Sequence, residues 1–217
     1  RIGNLLRERG VLSGLGYRVR TLHGLANDII RERPELAGLT NEFQILGEPD
    51  TDGILNSCVA AWYRSNHSLF EDRLVENLNP KQREKVTQQE LPDLIKESCS
   101  AFIKTAKDYL LTPELLEKKL NNSYLKSDSL MRMGLEIYRD YQNALQYRAA
   151  VDFADLIRLA FQCLNEDPSL TDLLHYRWPY ILEDEAQDSS LLQEKILRAL
   201  VGVDGNWVRV GDPNQAI

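Results

Sequence analysis

Two adjacent carboxylates, Asp184 and Glu185, follow the apolar run Tyr180-Ile-Leu182 and lead into Ala186-Gln-Asp188. A strand that ends in two carboxylates delivers them to opposite sides of the backbone at a polar turn, so they can serve different tasks. One can reach a magnesium ion through water, while the other orients and deprotonates an attacking water. That is the chemistry of nucleoside triphosphate hydrolysis. The same residues also suit a solvated acidic turn before a helix, with Asp188 or Ser189 as its cap.

A second strand-and-turn, Trp207-Val-Arg-Val-Gly-Asp-Pro-Asn-Gln215, follows at about the spacing of one βαβ unit. Gly211 permits a tight turn after what reads as a buried strand, and the Gln215 amide is a neutral donor that can reach a phosphate. Gly-Asp-Pro is also an ordinary turn, so its weight comes from its position after the acidic pair. Together the two segments point to a motor ATPase that uses ATP and Mg2+. Yet the sequence contains no Gly-Lys-Ser or Gly-Lys-Thr phosphate loop. The expectation is a piece excised from a larger enzyme, inactive by itself.

Thr21-Leu-His-Gly24 offers a hydroxyl, an imidazole and a helix N-terminus on one loop. Thr21 and His23 can hold a nucleic-acid phosphate there, or act as a plain helix cap beside a packed histidine. Val151-Asp-Phe-Ala-Asp155 reads as a helix start. Trp62, Tyr63, Tyr138, Tyr141 and Tyr147 fall at helical spacing and read as core rather than as a base-stacking platform.

The elements that must position these groups alternate at both ends of the chain and not in the middle. Tyr17-Arg-Val-Arg20 alternates like a short strand, and Thr21 caps a helix carrying Leu25, Ala26, Ile29 and Ile30 to about Pro34. From about Thr40 to Arg148 only helical periods appear. Ile54, Leu55, Cys58, Val59 and Trp62 form one apolar stripe. A second is Leu94, Ile95, Cys99, Phe102, Ile103 and Ala106, and a third runs from Leu130 to Leu145. Pro80, Pro92 and Pro113 mark breaks or first turns. Strand–helix alternation resumes after Val151, with strands at 180–182 and 207–210 around a helix from Leu191 to Leu200. The predicted fold class is α/β with a large all-α insertion. Residues 1–39 and 149–217 would form part of a parallel-sheet core, and residues 40–148 the helical insertion.

Composition sets wider bounds. Of 217 residues, 27% are charged and 43% hydrophobic, as in ordinary globular proteins. A net charge of −7 excludes a uniformly basic surface but not a local basic patch such as the Arg-rich N-terminal stretch. Three scattered cysteines, odd in number, argue against a disulfide framework and for a reducing, cytoplasmic setting. No run approaches transmembrane length and no signal peptide is apparent, so no membrane partner is expected.

In this order, the motifs resemble those of the UvrD/Rep/PcrA family of superfamily 1 DNA helicases. Thr21-Leu-His-Gly is similar to the family's Thr-Phe-His-Ser, and Val151-Asp-Phe-Ala-Asp-Leu to Leu-Asp-Phe-Asp-Asp-Leu. Asp184-Glu-Ala-Gln-Asp188 resembles Asp-Glu-x-Gln-Asp, and Gly211-Asp-Pro-Asn-Gln-Ala-Ile217 resembles Gly-Asp-x-x-Gln-Ser-Ile. The resemblance implies part of a RecA-like P-loop NTPase domain, with the helical middle as subdomain 1B. It implies that Asp184 contacts Mg2+, directly or through water, that Glu185 is the general base, and that Gln215 contacts the γ-phosphate of ATP. Thr21 and His23 would lie along single-stranded DNA, and the whole enzyme would unwind partly duplex DNA with 3′-to-5′ polarity. The phosphate loop would precede Arg1, and a second RecA-like domain would follow Ile217. Two departures stand out: Glu183 at a strand position that is usually apolar, and Pro213-Asn214 in a turn closer to the RecB/AddA style. The rivals are the motor of a RecB/AddA-like helicase-nuclease and a non-catalytic interaction module derived from a helicase.

Overall fold

The computed structural model of the chain describes residues 8, 10, 17–71, 78–123, 128–203, 205–212 and 214. It is mostly helical, with two small parallel sheets. Two compact units divide it: residues 1–38 with 159–217, and residues 39–158.

In the first unit, α1 (Leu22–Glu32) starts at Thr21, whose Oγ1 accepts the Gly24 amide hydrogen at 3.1 Å. A serine or threonine at this position satisfies one of the orphan amides of the first turn. Ala26, Ile29 and Ile30 are fully buried. The helix stops before Pro34, which opens the 3-10 turn Pro34–Ala37. The later part of the chain supplies the second half of α8 (Phe153–Glu166), whose first residues, to Arg158, belong to the second unit, then α9 (Pro168–Arg177) and α10 (Leu191–Val201). Strands β3 (Tyr180–Glu183) and β4 (Asn206–Arg209) pair in parallel. Leu192, Ile196, Leu197 and Leu200 bury one face of α10, and a capping box of Ser190 with Gln193 starts that helix.

Two sequence expectations are corrected here, and the burial of Glu183, left open by the sequence, is settled. Tyr17–Arg20 forms no strand; alternation over four residues gives a strand only where a neighbour accepts its hydrogen bonds. The apolar strands are not buried: Tyr180 and Leu182 are 73% and 80% exposed, and Val208 is 52% exposed. Conversely, Glu183 is buried.

The second unit holds α2 (Glu48–Asn66), α3 (Ser68–Glu71), α4 (Pro80–Lys85), α5 (Leu91–Asp108), α6 (Pro113–Asn121) and α7 (Ser129–Tyr147). A π-helical turn, Val86–Glu90, links α4 to α5. Pro80 and Pro113 open their helices, and Pro92 lies in the first turn of α5. The core joins Ile54, Val59 and Trp62 of α2, Cys99 and Ile103 of α5, and Tyr138 and Leu145 of α7. Trp62 Nε1 donates to Glu136 Oε2 at 2.7 Å. Tyr147, expected in the core, is 93% exposed at the end of α7. The unit is not wholly helical either. Strand β1 (Gln44–Ile45) pairs in parallel with β2 (Ala150–Val151). Two-residue strands are too short to leave a periodic signal.

A buried cation ties this unit together. Lys107, in the last turn of α5, is 1% exposed. Its Nζ lies 2.6 Å from Asp152 Oδ2 and 2.8 Å from Asp155 Oδ2. The Tyr141 hydroxyl donates to the same Asp152 oxygen at 2.8 Å, and Asp152 Oδ1 accepts the Asp155 amide hydrogen at 2.7 Å. Arg158 pairs with Asp155 at 3.1 Å. Burial pulls the Asp152 pKa up. The Lys107 charge and hydrogen bond, the Asp155 amide and the Tyr141 hydroxyl outweigh burial and hold it below the usual carboxylate value. Burial, with Asp152 beside it, pushes the Tyr141 phenol well up.

Removing the cation leaves Asp152 without a counter-charge and Asp155 with Arg158 alone. Lys107→Met is expected to cost about 3–5 kcal/mol in urea unfolding near neutral pH, the scale for breaking a buried pair. Because the folded pKa of Asp152 is depressed, its contribution is complete above its ordinary value of 3.8 and is lost as pH falls through the lower folded value. The wild-type chain should therefore lose stability on acidification below about pH 4, more steeply than Lys107→Met. Parallel pH dependences would exclude the role given to this ion pair.

The same contacts set the extent of the unit. Residues 39–158 expressed alone are expected to unfold cooperatively, followed by circular dichroism during heating. Residues 40–148 should melt earlier or not at all, because they lack β2, Asp152 and Asp155 and leave Lys107 unpaired. Equal melting of the two pieces would contradict this.

Candidate nucleotide and nucleic-acid sites

Strands β3 and β4 pair in register, from Tyr180 opposite Asn206 to Glu183 opposite Arg209. The ladder runs on beyond both strands. The Val210 amide donates to the Glu183 carbonyl at 2.8 Å, and the Ala186 amide to the Val210 carbonyl at 2.9 Å. Asp184 and Glu185 therefore leave the carboxyl end of β3 directly beside Gly211 and Asp212 at the end of β4. Both carboxylates are exposed. The 3-10 turn Ala186–Asp188 follows, then α10.

Glu185 has a φ of 54°. A non-glycine residue in the left-handed region costs of order 1–3 kcal/mol and persists only where its surroundings enforce it. Two contacts do so here. The Asp188 amide donates to the Glu185 carbonyl at 2.9 Å. Gln187 Nε2 donates to Glu185 Oε2 at 2.7 Å, while Gln187 Oε1 accepts the Asp212 amide hydrogen at 3.0 Å. The turns are so close that a Cβ on Gly211 would lie 2.6 Å from Gln187 Oε1 and 3.1 Å from the Ala186 nitrogen. A larger residue there would push the Gln187 amide aside and crowd the Ala186 and Gln187 backbone.

Glu183, the departure noted in the sequence, carries a buried carboxylate with a partner on each oxygen. The Ser189 hydroxyl donates to Oε1 at 2.7 Å, and Arg209 Nε lies 2.8 Å from Oε2. Arg209 also pairs with Glu194 at 3.0 Å and packs 4.8 Å from the Trp207 ring centroid. The hydrogen bonds from Arg198, then Arg209, hold the Glu194 carboxyl below its usual pKa. Glu183 thus ties the entry of the acidic turn to its exit and to the neighbouring strand.

Among the described residues no group of three or more His, Cys, Asp or Glu side chains could by itself enclose a metal ion. An exposed carboxylate pair nonetheless fits Mg2+. That ion is usually held by one or two carboxylates, with phosphate oxygens and waters completing its shell. Asp184 Oδ1 accepts the Glu185 amide hydrogen at 3.1 Å, which orients the carboxylate.

Thr21 and His23 lie on another element, the first turn of α1. The Thr21 oxygen acts as the cap, which leaves its hydroxyl hydrogen as a donor. His23 is half-buried, and burial lowers its pKa, favouring the neutral ring. Gln215 lies outside the described residues. Next to its segment, Asp212 Oδ1 accepts the Asn214 amide hydrogen at 2.9 Å. Sequence reasoning gave no role in the site to Gln187, Glu183 or Arg209. The local signals were Gln187's place in the Asp-Glu-x-Gln-Asp motif and a charged residue, Glu183, at the end of an apolar strand.

The chain is 28% identical over its whole length to DNA helicase II of Escherichia coli, of which it covers 25%. It is 25% identical over 92% of its length to the ATP-dependent DNA helicase PcrA of Bacillus subtilis, covering 23% of that protein. With an ATP-dependent helicase/nuclease subunit of Lactococcus lactis it shares 30% identity over 48% of its length and 9% of that protein's. The chain thus spans about a quarter of the length of the DNA helicase II relatives. Residues 1–217 match the family model of the UvrD/REP helicase N-terminal domain, and the chain belongs to that family.

Proposed function

We propose that this chain is part of an ATP-dependent 3′-to-5′ DNA helicase and carries the water-activating half of its nucleotide site. The observation behind this reading is the exposed Asp184–Glu185 pair, held at the carboxyl end of β3 against the Gly211 turn. Carboxyl ends of parallel strands are where open α/β sheets bind nucleotides. The names of the relatives support it: two are named DNA helicases, the third a helicase/nuclease subunit, and two carry ATP dependence in their names. The phosphate-cradling loop, absent from this sequence, belongs in this proposal to another part of the protein.

In the proposed reaction Glu185 accepts a proton from water as the water oxygen bonds to the γ-phosphorus of ATP. The bond from that phosphorus to the bridging oxygen breaks, and ADP and inorganic phosphate leave. Asp184 would hold Mg2+, which when bound would supply positive charge to the triphosphate. Gln215 donates to the γ-phosphate. Thr21 and the neutral His23 hydrogen-bond single-stranded DNA, whose transport drives unwinding of the duplex. Residues 40–148, which lie within the compact unit 39–158, correspond in this reading to the inserted subdomain 1B. Polarity rests on the resemblance to the family.

The helicase-nuclease motor is the second reading, carried by the match to the Lactococcus lactis helicase/nuclease. That match covers about half the chain, whereas the matches to DNA helicase II and PcrA cover all or nearly all of it. This favours the helicase.

In the full-length protein that carries this chain, Glu185→Gln is expected to bind nucleotide normally and to hydrolyse it about 10²- to 10⁴-fold more slowly, the usual effect of losing a general base. A coupled ATPase assay with nucleotide titration reads both. Hydrolysis at the parent rate would remove the acidic pair from the reaction.

Thr21→Ala combined with His23→Ala is expected to weaken single-stranded DNA binding by about 1–3 kcal/mol, the scale of one or two lost hydrogen bonds. Fluorescence titration must be run at fixed salt, because phosphate contacts are salt-dependent. Intact DNA affinity with impaired nucleotide affinity would reverse the assignment.

A further inference from the structure

We propose that Gln187 is a positioning residue that aims the Glu185 carboxylate and takes its own orientation from the Gly211 turn. This rests on Glu185 being the general base. Gln187 contacts no reacting atom in this scheme; it acts through Glu185.

Chemistry leaves one orientation for the Gln187 amide. An ionised carboxylate only accepts hydrogen bonds, so the group 2.7 Å from Glu185 Oε2 is the donor Nε2. A backbone amide only donates, so the group 3.0 Å from the Asp212 nitrogen is Oε1. One side chain therefore spans the two turns, with its donor end on the acidic pair and its acceptor end on the backbone after β4. Ladder bonding between Ala186 and Val210 holds the turns together, and Gly211 leaves only enough room for the amide between them.

This matters because Glu185 is otherwise poorly constrained. Its side chain is exposed and has several rotatable bonds. Losing the Gln187 donor frees the carboxylate to turn away from the attacking water. A displacement of the Gly211–Asp212 backbone would shift Gln187 and, through it, the base. The arrangement links the end of β4 to the proton-accepting oxygen through one residue.

The test uses three substitutions in the full-length protein that carries this chain. Gln187→Met keeps size and removes both hydrogen bonds. Gln187→Glu keeps an acceptor for the Asp212 amide and removes the donor to Glu185. Glu185→Gln reports on the underlying assignment. At saturating Mg2+, single-turnover hydrolysis of ATP is expected to fall about 10- to 100-fold in both Gln187 variants, as for a catalytic group displaced by about 1 Å. Affinity for a fluorescent ATP analogue and the melting temperature should stay at parent values. If Gln187→Met melts early, Gln187→Glu carries the decision. Parent-rate hydrolysis by Gln187→Glu alongside collapse in Glu185→Gln overturns the positioning role alone. A loss of nucleotide affinity that accounts for the whole defect also overturns it. Parent-rate hydrolysis by Glu185→Gln overturns the assignment of the base instead.

Discussion

The parallel pairing of β3 with β4 is the constraint on which the candidate site depends. Asp184-Glu185 and Gly211-Asp212 are remote in sequence and become neighbours only because four strand positions pair and two further hydrogen bonds extend the ladder. Side chains alternate along a strand, so a slip of one residue would send each to the opposite face. Such a slip would part Arg209 from Glu183 and break the Gln187 bridge to Asp212. The contact of the exposed Arg209 guanidinium with the buried Glu183 carboxylate acts as a device that specifies this register. A pair with one partner in solvent contributes little net stability, while leaving the buried Glu183 carboxylate without its partner is costly. That asymmetry penalises a wrong alignment more than it rewards the right one.

A second buried charge plays a comparable part in residues 39–158. Asp152 caps the start of α8, accepts a hydrogen bond from Tyr141 and pairs with Lys107. Asp155 meets the same lysine from one turn later. The Val151-Asp-Phe-Ala-Asp155 motif thus has structural duties: its two carboxylates neutralise a cation carried by α5. A segment that resembles a family signature is here a packing element.

The helical majority of the chain accompanies a small amount of sheet, and the candidate site lies where the β3–β4 sheet ends. Much of the apolar surface of β3 and β4 is open, including Tyr180, Leu182 and Val208. The carboxylates at the strand ends are open as well, as a polyphosphate and its hydrated cation require. Around them, polar contacts fix the geometry: Glu183 with Ser189 and Arg209, and Gln187 between two turns.

Much of this was legible in sequence because it is local. The Thr21 cap, the stop at Pro34, the first-turn prolines and the helix from Leu191 follow from hydrogen bonding and φ restrictions within a few residues. The acidic motif and the glycine turn were legible as motifs, and so was the family. What the tertiary structure decided is non-local. The alternation at Tyr17–Arg20 finds no partner strand among the described residues, while the two-residue strands β1 and β2 exist only through each other. Glu183 is buried because Arg209 and Ser189 converge on it, and Lys107 because two carboxylates 45 and 48 residues away do so. Hydrophobicity and spacing record which residues prefer burial and at what period. They do not record which distant polar partner offsets the cost of an exception, and that is settled only when the chain closes on itself.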